Sequence, residues 1–184
     1  MKRKTFFYLV ILVFSFQIFA QDKWETYTNI EFGYEISYPT NWEVIEAAPD
    51  TNNQADWAGN ILFGEQIQMV TFLEKDFQLW QGQFQVCVIE NHDSISLHEW
   101  VEKNEPTDIF DESLVLETRD TTLSETPAIF QSNFGFDHTA YNFTALHNNL
   151  IYSISFEGNS PNDDKEIEHK EIYSRMFSSF RFMK

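Results

Sequence analysis

One cysteine, Cys87, stands in a chain of 184 residues, beside only six glycines and five prolines. A lone thiol forms no internal disulfide, so an oxidising compartment would offer this chain no covalent staple and packing must stabilise it. With so little glycine there is no glycine-rich phosphate loop and no Gly-x-Ser-x-Gly nucleophile elbow. Basic residues are scarce too: 12 Lys plus Arg stand against 29 Asp plus Glu, a net charge of −17. Nucleic-acid binding needs Lys and Arg to displace phosphate counterions, and anionic membrane surfaces repel such a chain equally. Repeats, low-complexity tracts and linkers are absent after residue 21.

The first clear feature is at the amino end. Met1, Lys2, Arg3 and Lys4 precede an apolar run from Phe6 to Phe14, which gives way to Ser15-Phe16-Gln17-Ile18-Phe19-Ala20. A basic head, a short apolar centre and a small exit residue predict a cleavable signal peptide over residues 1–20, cut between Ala20 and Gln21. The run is shorter than the roughly 20 residues that span a bilayer; an uncleaved anchor is the alternative. No cysteine follows the cut, which argues against lipoprotein anchoring. Loss of Lys2, Arg3 and Lys4 with the leader takes the charge to −20. The expected location is periplasmic or secreted, with no membrane insertion once the leader is gone. Residues 21–184 suit one domain, and 19 phenylalanines argue against disorder.

Tyr34, Ile36 and Tyr38 alternate with Glu35 and Ser37, the period-two signature of a strand. Pro39-Thr40-Asn41 breaks it and Trp42 to Ile45 begins another, so a hairpin-like pair is expected. Residues 48–60 read as a loop. Ile67–Leu73 and Phe84–Ile89 read as strands, joined by a stretch holding Trp80, Gln81 and Gly82. Ser96-Leu97-His98-Glu99 has the form of a capping box, with Leu97, Trp100 and Val101 on one face of a short helix ending near Pro106. Strands are expected near Leu114–Thr118 and Ala128–Phe134. Tyr141, Phe143 and Ala145, then Leu150, Tyr152, Ile154 and Phe156, alternate across a turn at Asn148-Asn149. Ser160-Pro161 predicts the start of a second helix, with Asp163, Asp164 and Glu166 favouring its positive end. Phe180–Met183 closes as a last strand. Strands, helix, strands, helix is an α+β order with a largely antiparallel sheet.

Tyr27-Thr28-Asn29 followed by Phe32-Gly33-Tyr34-Glu35-Ile36-Ser37-Tyr38-Pro39-Thr40-Asn41-Trp42 resembles the opening signature of PsbP-like domains. The Ser96–Val101 helix, and the last helix running into Ser179-Phe180-Arg181-Phe182, look like that family's pattern. The resemblance implies an antiparallel sheet flanked by helices in an α-β-α sandwich. The family comprises extrinsic and assembly factors of photosystem II, exported bacterial relatives, and a Ran-binding import factor of the same fold. These act by docking rather than as enzymes. Some chloroplast members are linked to calcium and manganese, but no metal ligand carries over to a residue of this chain.

Candidate chemistry is sparse. Among the five histidines, His92-Asp93 and Asp137-His138 are sequence neighbours, and His98 with Glu102 shares a helix face; no zinc spacing appears, and a surface role is expected for each of the five. Cys87 lies in Phe84-Gln85-Val86-Cys87-Val88-Ile89 and reads as a buried, inert thiol. The acidic run Asp163-Asp164-Glu166-Glu168 lacks a calcium loop's alternation; Asp108, Asp111 and Glu112 are a better place for a weakly held divalent cation such as calcium. Trp24, Trp57 and Trp80 lie near expected loops and could present an aromatic patch, whereas Trp42 and Trp100 read as core. Asn142-Phe143-Thr144 matches the glycosylation triplet but falls mid-strand. No catalytic residue, cofactor or metal ligand is assigned. The leading expectation is a non-catalytic exported domain that docks to an envelope or secreted protein, with Trp57, Trp80, Asp108, Asp111 and Glu112 as patch candidates. A cation-binding domain and a hydrolase with a dispersed site are the alternatives.

Overall fold

Residues 23–47, 66–75, 83–105, 114–134, 139–157 and 165–184 are described in the computed structural model. Strands β1 (Trp24–Asn29) and β2 (Tyr34–Pro39) form an antiparallel hairpin. The turn between them needs Gly33, whose φ of +66° lies in the left-handed region that glycine occupies without steric cost. Asn29 Oδ1 accepts from the Phe32 amide at 2.8 Å inside the same turn. A two-residue strand near the carboxyl end, β10 (Arg181–Phe182), pairs with the other edge of β2, giving a small sheet ordered β1-β2-β10.

A larger, wholly antiparallel sheet holds the remaining strands: β3 (Trp42–Ala47), β4 (Gln66–Glu74), β5 (Gln83–Glu90), β6 (Val115–Leu123), β7 (Thr126–Phe134), β8 (Thr139–His147) and β9 (Leu150–Glu157). Their spatial order is β3-β4-β5-β9-β8-β7-β6. The expected hairpin between Tyr34–Tyr38 and Trp42–Ile45 is therefore not formed. Both edges of β2 are taken by β1 and β10, so the chain turns at Thr40-Asn41 and passes into the large sheet, where β3 pairs with β4. The Asn148-Asn149 turn is as read, with both residues at positive φ, and a second tight turn at Ser124-Glu125 joins β6 to β7 in the same way.

The two faces of the large sheet meet different partners. One carries Phe72, Phe84, Val86, Tyr152 and Ile154 and packs against the small sheet and helix α2 (Glu166–Ser179). On α2, Tyr173, Met176 and Phe180 just beyond it are buried in that core, while Ser179 Oγ accepts from the Ser37 amide of β2 at 2.9 Å. Helix α1 (Leu97–Lys103) lies on the opposite face, and its His98 reaches Asp120 of β6. Its cap is half of the expected box: Ser96 Oγ accepts from the Glu99 amide at 3.3 Å. Helices on both faces of an antiparallel sheet make the α+β sandwich that the resemblance implies. The expected helix start at Ser160-Pro161 lies outside the described residues; the described helix begins at Glu166 with Lys165 before it.

The opening motif has a structural explanation. Tyr34 and Ile36 are fully buried, Tyr34 stacks on Phe180 at 5.5 Å, and its hydroxyl donates to Gln68 Oε1 at 3.1 Å. Burial pushes the Tyr34 phenol well above its ordinary range. Tyr152 of β9 donates to the Phe32 carbonyl at 2.6 Å, tying the small sheet to the large one.

Candidate functional site

The small sheet and α2 leave one end of the aromatic face open. There, between α2 and strands β6, β7 and β8, lies a cleft of about 690 Å³. Two neighbouring rows of cross-strand partners make its floor. One runs Glu117, Ser132, Tyr141, Phe156; the other runs Arg119, Phe130, Phe143. Cross-strand partners share a face, so each row is set by register alone. Lys170, Ser174 and Phe177 are spaced i, i+4, i+7 on α2 and form the wall.

The rings pack as a continuous sheet of edges and faces. Phe143 lies 4.1 Å from Phe177, 4.9 Å from Phe130 and 5.9 Å from Phe156 between centroids. Tyr141 meets Phe156 edge-on at 5.9 Å. Arg119 lies over the Phe130 ring with its guanidinium carbon 4.2 Å from the centroid, a cation–π geometry. Its Nε donates to Glu117 Oε1 at 3.1 Å, which anchors one side of the guanidinium. Leu116, which lines the cleft, is 63% exposed, and Phe134, at the end of β7, is 52% exposed. Ser132, Thr139, Tyr141 and Ser174 bring hydroxyls to the cleft, and among the described residues no histidine lines it.

Carboxylate and imidazole do meet elsewhere. Glu74, at the end of β4, accepts from Lys165 through one oxygen and sits 3.1 Å from His169 Nε2 through the other. Burial pushes the Glu74 carboxyl up, but the hydrogen bonds from Lys165 and His169 outweigh it and hold the group below the usual glutamate range. His169 is 2% exposed and lies edge-on to Trp42 at 6.4 Å, so the surface role expected of every histidine fails here. The local string Glu168-His169-Lys170 is polar, and the partner that draws the ring inward lies 95 positions away. The cluster holds the first turn of α2 to β4, with negative charge at the helix's positive end.

The other candidates are dispersed. Trp57, Trp80, Asp108, Asp111, Glu112 and the Asp137-His138 pair lie outside the described residues, as do the leader with Ala20 and Gln21, the 48–60 loop and Asp163-Asp164. His92 and His98 are exposed, beside Glu90 and Asp120 respectively. Cys87 is fully buried. Trp24 is on β1 rather than in a loop, half-buried, with Arg175 stacked on its ring at 4.0 Å. Trp42 is core and Trp100 half-buried. Asn142-Phe143-Thr144 lies within β8 with Thr144 buried. Among the described residues no three His, Cys, Asp or Glu side chains group as metal ligands, and no helix is long and apolar enough to cross a membrane. The cleft residues were not legible beforehand; the only local signal is the aromatic alternation of β8 and β9, which says that the rings share a face but not that one end of it is uncovered.

No protein-family profile and no curated protein matches the sequence. Solved structures do. The cyanobacterial PsbP of Synechocystis sp. PCC 6803 is similar with a TM-score of 0.51 at 10% identity, over 88% of this chain and 93% of that one. A protein of Bacteroides thetaiotaomicron gives 0.50 at 10% identity, over 86% of this chain but 48% of that one, so this chain spans about half of its length. LpqN of Mycobacterium tuberculosis, described as involved in cell envelope biogenesis, gives 0.43 at 9% identity over 88% of this chain and 91% of that one. At such identities the likeness to the first two speaks to architecture alone, and in architecture this chain is PsbP-like.

Proposed function

We propose that this chain is an exported, non-catalytic accessory domain that docks on another envelope or secreted protein. One observation supports the reading most: an open aromatic cleft whose lining includes the exposed Leu116, with the exposed Phe134 at the end of β7, the strand paired with β6 that carries Leu116. Large apolar side chains grouped at a concave edge mark an interaction site more often than single exposed ones do. The PsbP-like architecture agrees with a docking role by analogy only, and the leader at residues 1–20 supports export. With 29 acidic residues the surface favours a basic partner.

The test is co-purification from envelope and secreted fractions, with tagged residues 21–184 as bait and a Leu116→Ser/Phe134→Ser double variant alongside. A stoichiometric partner held by the native chain and lost by a folded double variant is the expected result. A partner held equally by both, or no partner at all, overturns the reading.

A further inference from the structure

The large sheet ends in β6, whose inner edge pairs with β7 and whose outer edge meets no other strand among the described residues. Five successive residues of it, Leu116 to Asp120, are exposed. An open edge presents N–H and C=O groups as a template for another strand, and bulges and charged side chains are what blunt it. β6 has both: a bulge at Leu116 and the string Glu117-Thr118-Arg119-Asp120. Such an edge accepts only a strand whose charges fall in the matching order.

Glu117 and Arg119 face the cleft side of the sheet, opposite Ser132 and Phe130 of β7, while Thr118 faces the other side, opposite Gln131. Arg119 Nε donates to Glu117 Oε1 within the strand, so the two charges compensate each other, and both side chains remain about half exposed. A second copy, turned about a two-fold axis through the sheet, would bring its own β6 alongside, antiparallel and with the same face up. Each register is then named by the residue that meets its own copy on the axis. Centred on Glu117, Arg119 or Asp120, the register sets a charge against itself, which is destabilising. Centred on Thr121, it sets no opposite charges across. Centred on Thr118, it sets Glu117 against Arg119 of the other copy twice over, with threonine on threonine at the axis, and all of these pairs are favourable.

We propose that β6 is a self-pairing edge: two copies of this chain join antiparallel about Thr118, and the two intrastrand ion pairs become a ring of four alternating charges. The row Arg119, Phe130, Phe143 of one copy then runs on into Glu117, Ser132, Tyr141 of the other, so the two sheets become one and their clefts share a floor. The contact is short and each copy has a net charge of −17, so the dimer is weak. Salt screens the overall repulsion more than the close pairs and therefore strengthens it.

Sedimentation velocity of the protein purified after expression of the full chain reads the association, at concentrations up to about 0.5 mM. A monomer–dimer equilibrium is expected, tighter at about 0.15 M NaCl than at about 0.01 M. Glu117→Arg and Arg119→Glu should each weaken it about tenfold, the size of two opposite-charge pairs turned into like ones. Glu117→Arg does so although it lowers the overall negative charge. Mixed together, the two variants should associate as heterodimers, since the two arginines of one copy then face the two glutamates of the other; that result requires both to be folded. Thr118→Cys should form an intermolecular disulfide on mild oxidation and Thr122→Cys should not, the native Cys87 being buried. A monomer under every condition, a dimer indifferent to both charge variants, or a mixture that stays monomeric overturns the proposal. So does equal cross-linking through Thr118→Cys and Thr122→Cys. The proposal goes beyond the docking reading and fails apart from it: a foreign partner captured by a chain that stays monomeric overturns this proposal and leaves docking intact.

Discussion

Along β5, Phe84, Val86 and Val88 point to one side of the large sheet and Gln85, Cys87 and Ile89 to the other, and all six are buried. The two faces reach burial by different chemistry. On the first, Phe72, Phe84, Phe156 and Tyr141 are successive cross-strand partners and make an aromatic row. One residue along, on the second, the same strands carry Thr71, Gln85, Ser155 and Asn142, continued by Gln131 and Thr118 into a polar row across six strands. Gln85 Nε2 donates to Thr71 Oγ1 at 3.3 Å, Ser155 Oγ donates to Gln85 Oε1 at 3.4 Å, and Gln131 Nε2 donates to Thr118 Oγ1 at 3.4 Å. The chain of bonds is incomplete: the Oδ1 atoms of Asn142 and Asn133 are buried without a partner. An aromatic face gains from every ring it covers, so leaving one end open exposes binding surface. A polar face gains only where each group finds its partner.

The sharpest way to break this contrast is to remove one side chain from each face at the same point. Phe84→Ala should cost about 3–5 kcal/mol, because it deletes a ring stacked on Phe156 at 5.3 Å and leaves a cavity. Gln85→Ala, its immediate neighbour, should cost about 1–3 kcal/mol, the penalty of leaving Thr71 and Ser155 unpaired. Urea denaturation of both variants checks the order, and equal costs would show that the two faces contribute alike. A smaller effect is expected at the far edge of the aromatic face. Glu74 has a folded-state pKa below its unfolded value, so its contribution is complete above the ordinary glutamate range and fades as pH falls through the folded pKa. Glu74→Gln should therefore flatten the loss of thermal stability on acidification from pH 5 to pH 3, leaving Phe84→Ala as steep as the native chain. Smallest is the β6–β7 turn, where Glu125 holds φ at 68°. Glu125→Gly should raise stability by up to ~1 kcal/mol by relieving a left-handed conformation, in a melting experiment. Ser124 is left in place because its Oγ accepts from the Phe182 amide.

The same contrast shows what could be read from the residues. Alternation in Tyr34–Tyr38, Phe84–Ile89, Tyr141–Ala145 and Leu150–Phe156 located β2, β5, β8 and β9, because period-two patterning is a local property. It misleads where a polar position is buried: Gln85 and Ser155 have the pattern of a solvated face and are covered. Pairing is not local at all. The hairpin expected of β2 and β3 is absent because β10, some 140 residues later, takes the edge of β2 that a local reading leaves vacant. The cleft was invisible for a similar reason, as Arg119, Phe143 and Lys170 come from three elements and become neighbours only through register and helix docking. The expectation of a leader over residues 1–20 rests on local composition alone.

The edge that β10 takes also sets the order in which the molecule can be finished. Phe182 pairs with Tyr34, and the Met183 amide donates to Gly33 O at 2.8 Å, so the small sheet is completed by residues far along the chain from its first two strands. Contacts of such sequence separation form late and slowly. Until β10 has formed, that edge of β2 stays unpaired and the small sheet stays incomplete. Removal of residues 180–184 should accordingly leave a protein more sensitive to protease than the full chain, and a truncated form as resistant as the native one would show that closure does not depend on β10.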